Sequence, residues 1–362
     1  MSSSRPGAPF PTACPPRRRA LVQLFRVTAM AAMLAGLGAC GGSGGAVPAP
    51  EPPPAPPPPA PAPAPPAPPG PIAPQLSVPA PVGYDADRLA AFNRLNQIRL
   101  AAGLGMLAQN AALDQAAQAH AAWIVTNDTF AHDETPGTPG FGGVHWWERD
   151  EALGYVPVGG EEVIAGGVRG AQGADVMVNG VYHRAGMLAF EPVDVGIGWS
   201  GAAAASVSMP LVIDMTRPGT DPVRGLGQTA QDDADGVVVW PVNGAQDVPI
   251  RLGRESPNPV PSREVLSLGT PASIVVGSNE MISVNTFMMF DAVSGAPVET
   301  LTLTSLNDPN LLMPASFVAL VPLSAMAPHT SYRVVFSGNV TSFSSDAVKA
   351  IERTWTFTTE TP

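Results

Sequence analysis

The sequence contains very little cysteine and almost no lysine. Cys14 and Cys40 are the two cysteines among its 362 residues, and Lys349 is its one lysine. Both cysteines lie in the first forty residues, so the remainder of the chain has no disulfide, even in a compartment that would allow one. A single lysine also argues against a lysine-based catalytic or phosphate-binding site.

Positive charge is scarce as well. The chain has 19 basic and 30 acidic residues, a net charge of −11, and five of its arginines lie in the first forty residues. Without that segment, 14 basic residues stand against 30 acidic ones, and the net charge is −16. A chain this acidic, with no basic patch interleaved with aromatic residues, is not expected to bind nucleic acid.

The first forty residues contain no acidic residue at all. Their five arginines precede an apolar run from Val27 to Leu37, which is the layout of a secretory signal. The run is shorter than the roughly 20 residues that a permanent membrane span needs. It ends in Leu37-Gly38-Ala39-Cys40, which resembles a bacterial lipobox.

The lipobox resemblance implies a signal peptide of residues 1–39 and a diacylglycerol attached to Cys40. We therefore expect a protein held on a membrane of the bacterial cell envelope through lipid on Cys40. By analogy, Gly41 after the cysteine indicates the outer membrane, with the protein periplasmic or surface-exposed. The alternative is an ordinary signal peptide whose last cysteine is incidental.

Residues 40–82 predict a disordered linker. The segment begins with glycine and serine and continues, from Pro48 to Pro74, with almost nothing but proline and alanine. Such sequences cannot form a packed core, and they adopt extended polyproline II, which rises about 3.1 Å per residue. We expect this stalk to hold the rest of the protein away from the membrane.

Residues 83–221 predict an α+β domain. Asp85 is a good N-cap for a first helix that Gly103 closes, and Asn110 begins a second helix. Two more helices are predicted, one around Trp146 to Gly154 and one over Ala174–Tyr182, followed by strands at residues 194–199 and 206–214. Helices followed by strands indicate a layered sandwich.

Several short motifs follow one another in this domain. In chain order they are Leu95-Asn96-Gln97-Ile98-Arg99 before Gly103-Leu104, Phe130-Ala131-His132, Arg149 before Gly154-Tyr155, Glu162-Val163-Ile164-Ala165, Tyr182-His183-Arg184 and Val195-Gly196-Ile197-Gly198. No single motif is specific, but their order and spacing together resemble the CAP family (cysteine-rich secretory, antigen 5, pathogenesis-related 1).

The resemblance implies an α-β-α sandwich with a central cleft that holds two histidines and two acidic residues. The histidines would be His132 and His183, and the first acid would be Glu162, with the adjacent Glu161 as the alternative. The helix before His183 has no glutamate where the family places its second acid, and Asp175 is the nearest carboxylate. The expected set of four residues is therefore incomplete.

Three roles stay open for this cleft. The histidines could hydrogen-bond Glu162 as structural residues, hold a divalent metal such as Zn²⁺ through His132 and His183, or transfer protons. No catalytic residue is assigned, because the sequence shows no clear nucleophile. His120 is expected to be a satisfied helix histidine, and Asp133-Glu134 are expected to solvate a loop.

Residues 235–362 predict an all-β domain, because short β-rich runs separated by turn residues are typical of a sandwich. Its beginning, Trp240-Pro241-Val242-Asn243-Gly244, and its end, Trp355-Thr356-Phe357-Thr358-Thr359, resemble a bacterial Ig-like module. Such modules usually space, display or bind. The proline-rich loop around Glu255 has no predicted role.

These features together favour a non-enzymatic CAP lipoprotein on a stalk, which binds a hydrophobic ligand such as a lipid, a metal or an extracellular protein. The alternative is a metal-assisted hydrolase or peptidase that acts on envelope or secreted material through His132, His183 and Glu162. A third interpretation is a structural envelope protein that binds no small ligand.

Overall fold

The computed structural model describes residues 70–201, 209–231 and 236–361. The predicted signal peptide at residues 1–39, the predicted lipidation site Cys40 and most of the 40–82 linker lie outside the described residues. Within the described ranges, no helix is both long enough and apolar enough to cross a membrane.

Two long helices begin where their capping residues predict. Helix α1 spans Ala86–Ala101 and α2 spans Ala111–Thr126. The side chains of Asp85 and Asn110 each accept backbone N–H groups of the first turn. Because those N–H groups have no partner inside the helix, such a cap stabilises a helix by about 1 kcal/mol. Both predicted helix starts are confirmed.

Three shorter helices follow, α3 (Trp146–Ala152), α4 (Gly170–Val178) and α5 (Tyr182–Met187). The single helix predicted over Ala174–Tyr182 is therefore wrong, because the chain breaks between α4 and α5. At the break, Asn179 donates its side-chain amide to the backbone oxygen of Arg251. A Cβ atom on Gly180 would lie 2.6 Å from Oε1 of Glu255. Contacts with a distant segment decide where α4 ends.

A four-stranded sheet lies between the helices, with strand order β1-β3-β4-β2. Its strands are β1 (Ala108–Gln109), β2 (Pro157–Ala165), β3 (Asp194–Trp199) and β4 (Leu211–Pro218). Strand β3 has the predicted bounds, whereas β4 begins later than predicted and continues to Pro218. Strand β2 is an edge strand, because β4 is its one partner in this sheet.

The two faces of this sheet pack on different helices. Ile164 and Val212 belong to a buried cluster with apolar residues of α2, whereas Val163 and Ile213 belong to one with residues of α1, α4 and α5. This follows from the alternation of side chains along a strand. Helix α2 approaches so closely that a Cβ atom on Gly198 would collide with its backbone. The α-β-α sandwich is confirmed.

The C-terminal part, from β5 to β12, is an all-β sandwich, as predicted. One sheet has the order β5-β7-β10-β9 and the other β6-β12-β11-β8. The strands are β5 (Val238–Trp240), β6 (Ala245–Val248), β7 (Ala272–Val275), β8 (Glu280–Asp291), β9 (Thr300–Leu303), β10 (Phe317–Pro322), β11 (Ser331–Ser342) and β12 (Val348–Thr359). We refer to α1–β4 as the first module and to β5–β12 as the C-terminal module.

The first sheet of the C-terminal module is covered on both faces. Every residue of β7 and β10 is buried. Ile274 and Leu320 face the second sheet of the sandwich, whereas Val275 and Phe317 share a core with Met177 and other residues of the helices of the first module. Strands buried on both faces occur where another layer covers each side. Five layers therefore pack in succession, and one core joins the two modules.

Candidate functional site

A cleft with a volume of about 1010 Å³ opens where strand β2 ends. The loop after α2 forms one side, the end of β2 and the residues after it form another, and α4, α5 and a segment of the C-terminal module complete it. The lining residues are 130–132, 164–168, 176, 177, 183, 253–256, 265 and 266. Both predicted histidines, His132 and His183, lie in this one cleft.

His132 is paired with Glu162, one of the two adjacent glutamates that the sequence offered as the first acid of the cleft. Nδ1 of His132 lies 2.8 Å from Oε1 of Glu162, and the histidine side chain is about half exposed. The carboxylate of Glu162 is completely buried, and Arg149 donates an Nη2–H to its other oxygen at 2.6 Å. A buried charge of this kind is stable only when it is paired and hydrogen-bonded.

Glu162 stays ionised despite its burial. Burial alone would raise its pKa, but the hydrogen bond from His132 and the charges of His120 and Arg149 outweigh burial and hold the pKa below its ordinary value. Glu162 is therefore a fixed negative charge beneath His132, and it fixes the orientation of that imidazole.

Two neighbouring carboxyl groups behave in the opposite way. Asp214 lies opposite Glu162 on β4, and burial together with the charges of Glu162 and Asp150 raises its pKa well above the ordinary value. Burial and the charge of Glu162 raise the pKa of Asp150 to about 8. Neither carboxyl oxygen of Asp150 has a hydrogen-bond partner within the described part of the chain. The site therefore favours the neutral form of Asp150 and Asp214 and the ionised form of Glu162.

His120 lies beneath the cleft and does not line it. It is completely buried, with Nδ1 2.8 Å from Oε1 of Glu134 and Nε2 3.0 Å from the backbone oxygen of Ala131. Its role as a satisfied helix histidine is thus as predicted. Glu134 is buried in this pair and also accepts the backbone N–H of Gly142, so its predicted role as a solvated loop residue is wrong.

His183 is paired with a carboxylate that the sequence analysis left without a role. Nδ1 of His183 lies 3.1 Å from Oε1 of Glu255, whose side chain is completely buried. The same carboxylate accepts the backbone N–H groups of Val181, Tyr182 and His183 at 2.6, 2.7 and 3.2 Å. Glu255 belongs to the segment between β6 and β7, so the C-terminal module supplies it.

This fold and cleft agree with the comparison to known families. Residues 92–209 match the model of the CAP family, described as the cysteine-rich secretory protein family. These residues form a CAP domain. Among solved structures, the chain is similar to an outer surface protein from Borrelia burgdorferi, with 16% identity, a TM-score of 0.30, and coverage of 35% of this chain and 89% of that one. No match was found among curated proteins.

The other two predicted acids of the CAP cleft lie elsewhere. Glu161 precedes Glu162 on β2, so its side chain points to the opposite face of that strand. It lies beside Gly186 of α5 and is exposed. Asp175 receives a hydrogen bond at 2.6 Å from Nε of Arg94. Neither residue lines the cleft. Glu162 is therefore the carboxylate beside His132, and Glu255 is the one beside His183.

The donor set of the CAP cleft does not fit a metal held by three protein side chains. Nδ1 of each cleft histidine is already bonded to a glutamate, and the oxygens of Glu162 and Glu255 are bonded to Arg149 and to backbone N–H groups. Over the described ranges, no three His, Cys, Asp or Glu side chains converge on a common point. We derive no step through a metal.

Sequence reasoning missed Glu255 because nothing local marks it. It lies 72 residues from His183, beyond the stretch that matches the CAP family, in a loop rich in proline. The one indirect signal is Gly180, because a side chain there would collide with the carboxylate of Glu255.

Proposed function

We propose that this protein is an envelope-anchored CAP protein whose cleft binds an amphipathic ligand with a long apolar body and an anionic head. The observation that carries this proposal is the composition of the cleft, because most of its lining is apolar and only a few polar side chains, including His132, His183 and Arg254, contribute to it. Clefts of up to about 1,000 Å³ with this composition are typical of small-molecule sites.

The apolar part of the lining supports the apolar part of the ligand. It includes Phe130, Ile164, Val168, Val176, Met177, Val265 and Leu266. Phe130 is 47% exposed and Leu266 is 46% exposed, which is unusual for large apolar side chains. Covering apolar surface contributes about 25 cal/mol per Å², so an alkyl chain laid against this lining binds favourably.

The polar part of the lining supports an anionic head. Arg254 is exposed, lines the cleft and has no ion-pair partner among the described residues. His132 and His183 lie in the same lining, and each keeps Nε2 for a ligand because Nδ1 is bonded to a glutamate. The guanidinium of Arg254 matches a carboxylate or phosphate head.

The binding proposal is tested with the mature protein and cis-parinaric acid, a long-chain fatty acid that is itself fluorescent. Phe130→Asp and Leu266→Asp each place a charge in the apolar lining, and we expect each to lower the affinity at least about tenfold. The matched control is Leu306→Asp, since Leu306 is 92% exposed and lies outside the cleft. Wild-type protein that binds no probe, or lining variants that bind like the control, contradict the proposal.

The location belongs to the same proposal and rests on the sequence. An arginine-rich segment, a short apolar run and Leu37-Gly38-Ala39-Cys40 support export and lipid attachment at Cys40. In cells fed an alkyne-labelled fatty acid, the wild-type protein should carry the label and sediment with membranes. Cys40→Ser should lose both properties, whereas Cys14→Ser should keep them. Equal labelling of Cys40→Ser and wild type would overturn the lipid anchor.

The hydrolase alternative makes a different prediction. If the two histidine–glutamate pairs performed hydrolysis, His132→Ala/His183→Ala would abolish a hydrolytic activity of the wild-type protein on envelope material or peptides. The binding proposal predicts no such activity in either protein, and a probe affinity that falls only partly in the double variant.

A further inference from the structure

The first turn of α5 is hydrogen-bonded to residues of the C-terminal module. The hydroxyl of Tyr182 donates to Oδ1 of Asp308 at 2.6 Å, and Asn310 donates to the hydroxyl oxygen at 2.8 Å. Arg184, which is completely buried, donates to the backbone oxygen of Pro271 at 2.6 Å. The cleft histidine His183 lies between these two anchored residues, so the C-terminal module fixes the backbone on both sides of it.

Glu255 fixes the side chain of the same histidine. Its Oε1 already accepts two backbone N–H groups, at 2.7 Å from Tyr182 and 3.2 Å from His183. Its Oε2 accepts the backbone N–H of Val181, so both oxygens act as acceptors and neither is placed to donate a proton to Nδ1. The contact at 3.1 Å is therefore donated by Nδ1–H of His183. The proton stays on Nδ1, and Nε2 keeps the lone pair with which it accepts a hydrogen bond from a ligand.

The wall of the cleft beside His183 also comes from the C-terminal module. Residues 253–256, with Val265 and Leu266, belong to the segment between β6 and β7 and line the same cleft as Phe130 and His132 of the CAP domain. The pairing of His183 and the shape of the cleft thus depend on the same segment.

We propose that Glu255 is a positioning residue of the ligand site, which holds His183 in the Nδ1–H tautomer, and that the site is complete only when both modules contribute to it. This inference rests on the proposed binding function. It assigns part of that function to the C-terminal module, which the sequence indicated only as a spacer or a second binding surface.

The first arm of the test measures the histidine itself. Long-range ¹H–¹⁵N spectra of the imidazole rings distinguish Nδ1–H from Nε2–H, and the signals of His183 are assigned by their loss in His183→Gln. We expect His183 to be the Nδ1–H tautomer in the wild-type protein and to shift toward Nε2–H in Glu255→Ala. Glu255→Gln should keep the wild-type tautomer, because an amide oxygen can still accept the Nδ1 proton. An unchanged tautomer in Glu255→Ala overturns the proposal.

The second arm measures whether Glu255 acts through His183. Glu255→Gln, Glu255→Ala and His183→Ala are each titrated with cis-parinaric acid, together with the double variant Glu255→Ala/His183→Ala. We expect Glu255→Ala to change the affinity about tenfold in the wild-type background, because the proton moves to Nε2, and hardly at all in the His183→Ala background, a coupling within the range for residues in contact. Equal effects in both backgrounds show a merely structural role and overturn the proposal.

Two controls keep the outcomes distinct. Glu264→Ala changes an exposed glutamate of the same segment that does not line the cleft, and it should match wild type in both arms. If Glu255→Ala does not fold, as circular dichroism would show, Glu255→Asp replaces it, since the shorter side chain moves the carboxylate away from Nδ1. Wild-type protein that binds no probe contradicts the proposed function alone, because the spectra still decide the role of Glu255.

Discussion

At the scale of single residues, the most unusual feature is a buried carboxyl group without a partner. Asp150 is 0% exposed, and neither of its oxygens has a hydrogen bond among the described residues. The charge of Glu162 raises its pKa further, and the charge of Arg149 opposes this only in part. An ionised group in such a place is costly, so the folded protein keeps the proton. The stability of the fold is thereby linked to pH.

We expect this link to be measurable as a pH dependence of unfolding. The pKa of Asp150 is about 8 in the folded protein, above the ordinary value of 3.8. Because the folded state binds the proton more tightly, the stabilisation is complete below about pH 4 and is lost as pH rises through about 8. Asp150→Asn removes this titration and should make the decline of the unfolding free energy over that window shallower, by up to about 1.4 kcal/mol per pH unit.

Urea denaturation at several pH values checks the Asp150 prediction. Asp247→Asn is the control, since Asp247 is exposed, and it should follow the wild-type profile. A profile of Asp150→Asn that is parallel to wild type from pH 5 to pH 8 would show that Asp150 titrates normally.

A separate prediction concerns the contact between Arg254 and the anionic head of the ligand. Arg254→Ser should weaken binding of a fatty acid about two- to fivefold, because an exposed ion pair contributes about 0.5–1 kcal/mol, and should leave binding of the corresponding fatty alcohol unchanged. The control is Arg263→Ser, which alters an exposed arginine of the same segment outside the cleft. Equal losses for acid and alcohol in a competition assay would rule out an anionic-head contact.

At the scale of elements, local signals and long-range contacts explain different parts of the structure. The starts of α1 and α2 were predictable because Asp85 and Asn110 act within one helical turn. The break between α4 and α5 was not, because it depends on Arg251 and Glu255, which are distant in sequence. For the same reason, the sequence offered Glu162 as an acid of the cleft without deciding which histidine it pairs with, and it offered no role for Glu255.

Helix α5 also provides a test of how firmly the modules are joined. Tyr182→Phe removes the hydroxyl that bonds to Asp308 and Asn310. We expect it to lower the unfolding free energy by about 1–3 kcal/mol, since the buried partners lose a charge-assisted hydrogen bond. Chemical denaturation measures the loss. In an Asp308→Ala background the same substitution should cost distinctly less, and a full loss in both backgrounds would mean that the contact contributes nothing.

At the scale of the molecule, the shared core predicts a single unfolding unit. Val275 and Phe317 pack with Met177 across the two modules, so separating them would expose a buried face on each. We expect near-ultraviolet circular dichroism and the fluorescence of the six tryptophans to report one coincident thermal transition, with matching calorimetric and van't Hoff enthalpies. Two resolved transitions in calorimetry would show that the modules unfold independently.

The sequence predicted the kind of each module but not this junction. Alternating apolar residues and turn signals are enough to indicate a β-sandwich. A continuous apolar run such as Phe317–Pro322 is typical of a strand buried on both faces, but it does not show which layer covers the second face.

The burial of that middle sheet also bears on how the cleft meets a ligand. Because helices of the first module and the first sheet of the C-terminal module share one core, folding sets the walls of the cleft in place before a ligand binds. The conformational cost of shaping the site is met before binding, which favours affinity but restricts the range of acceptable shapes. A homologous series of fatty acids should therefore show a sharp optimum of chain length, beyond which each added methylene lowers the affinity.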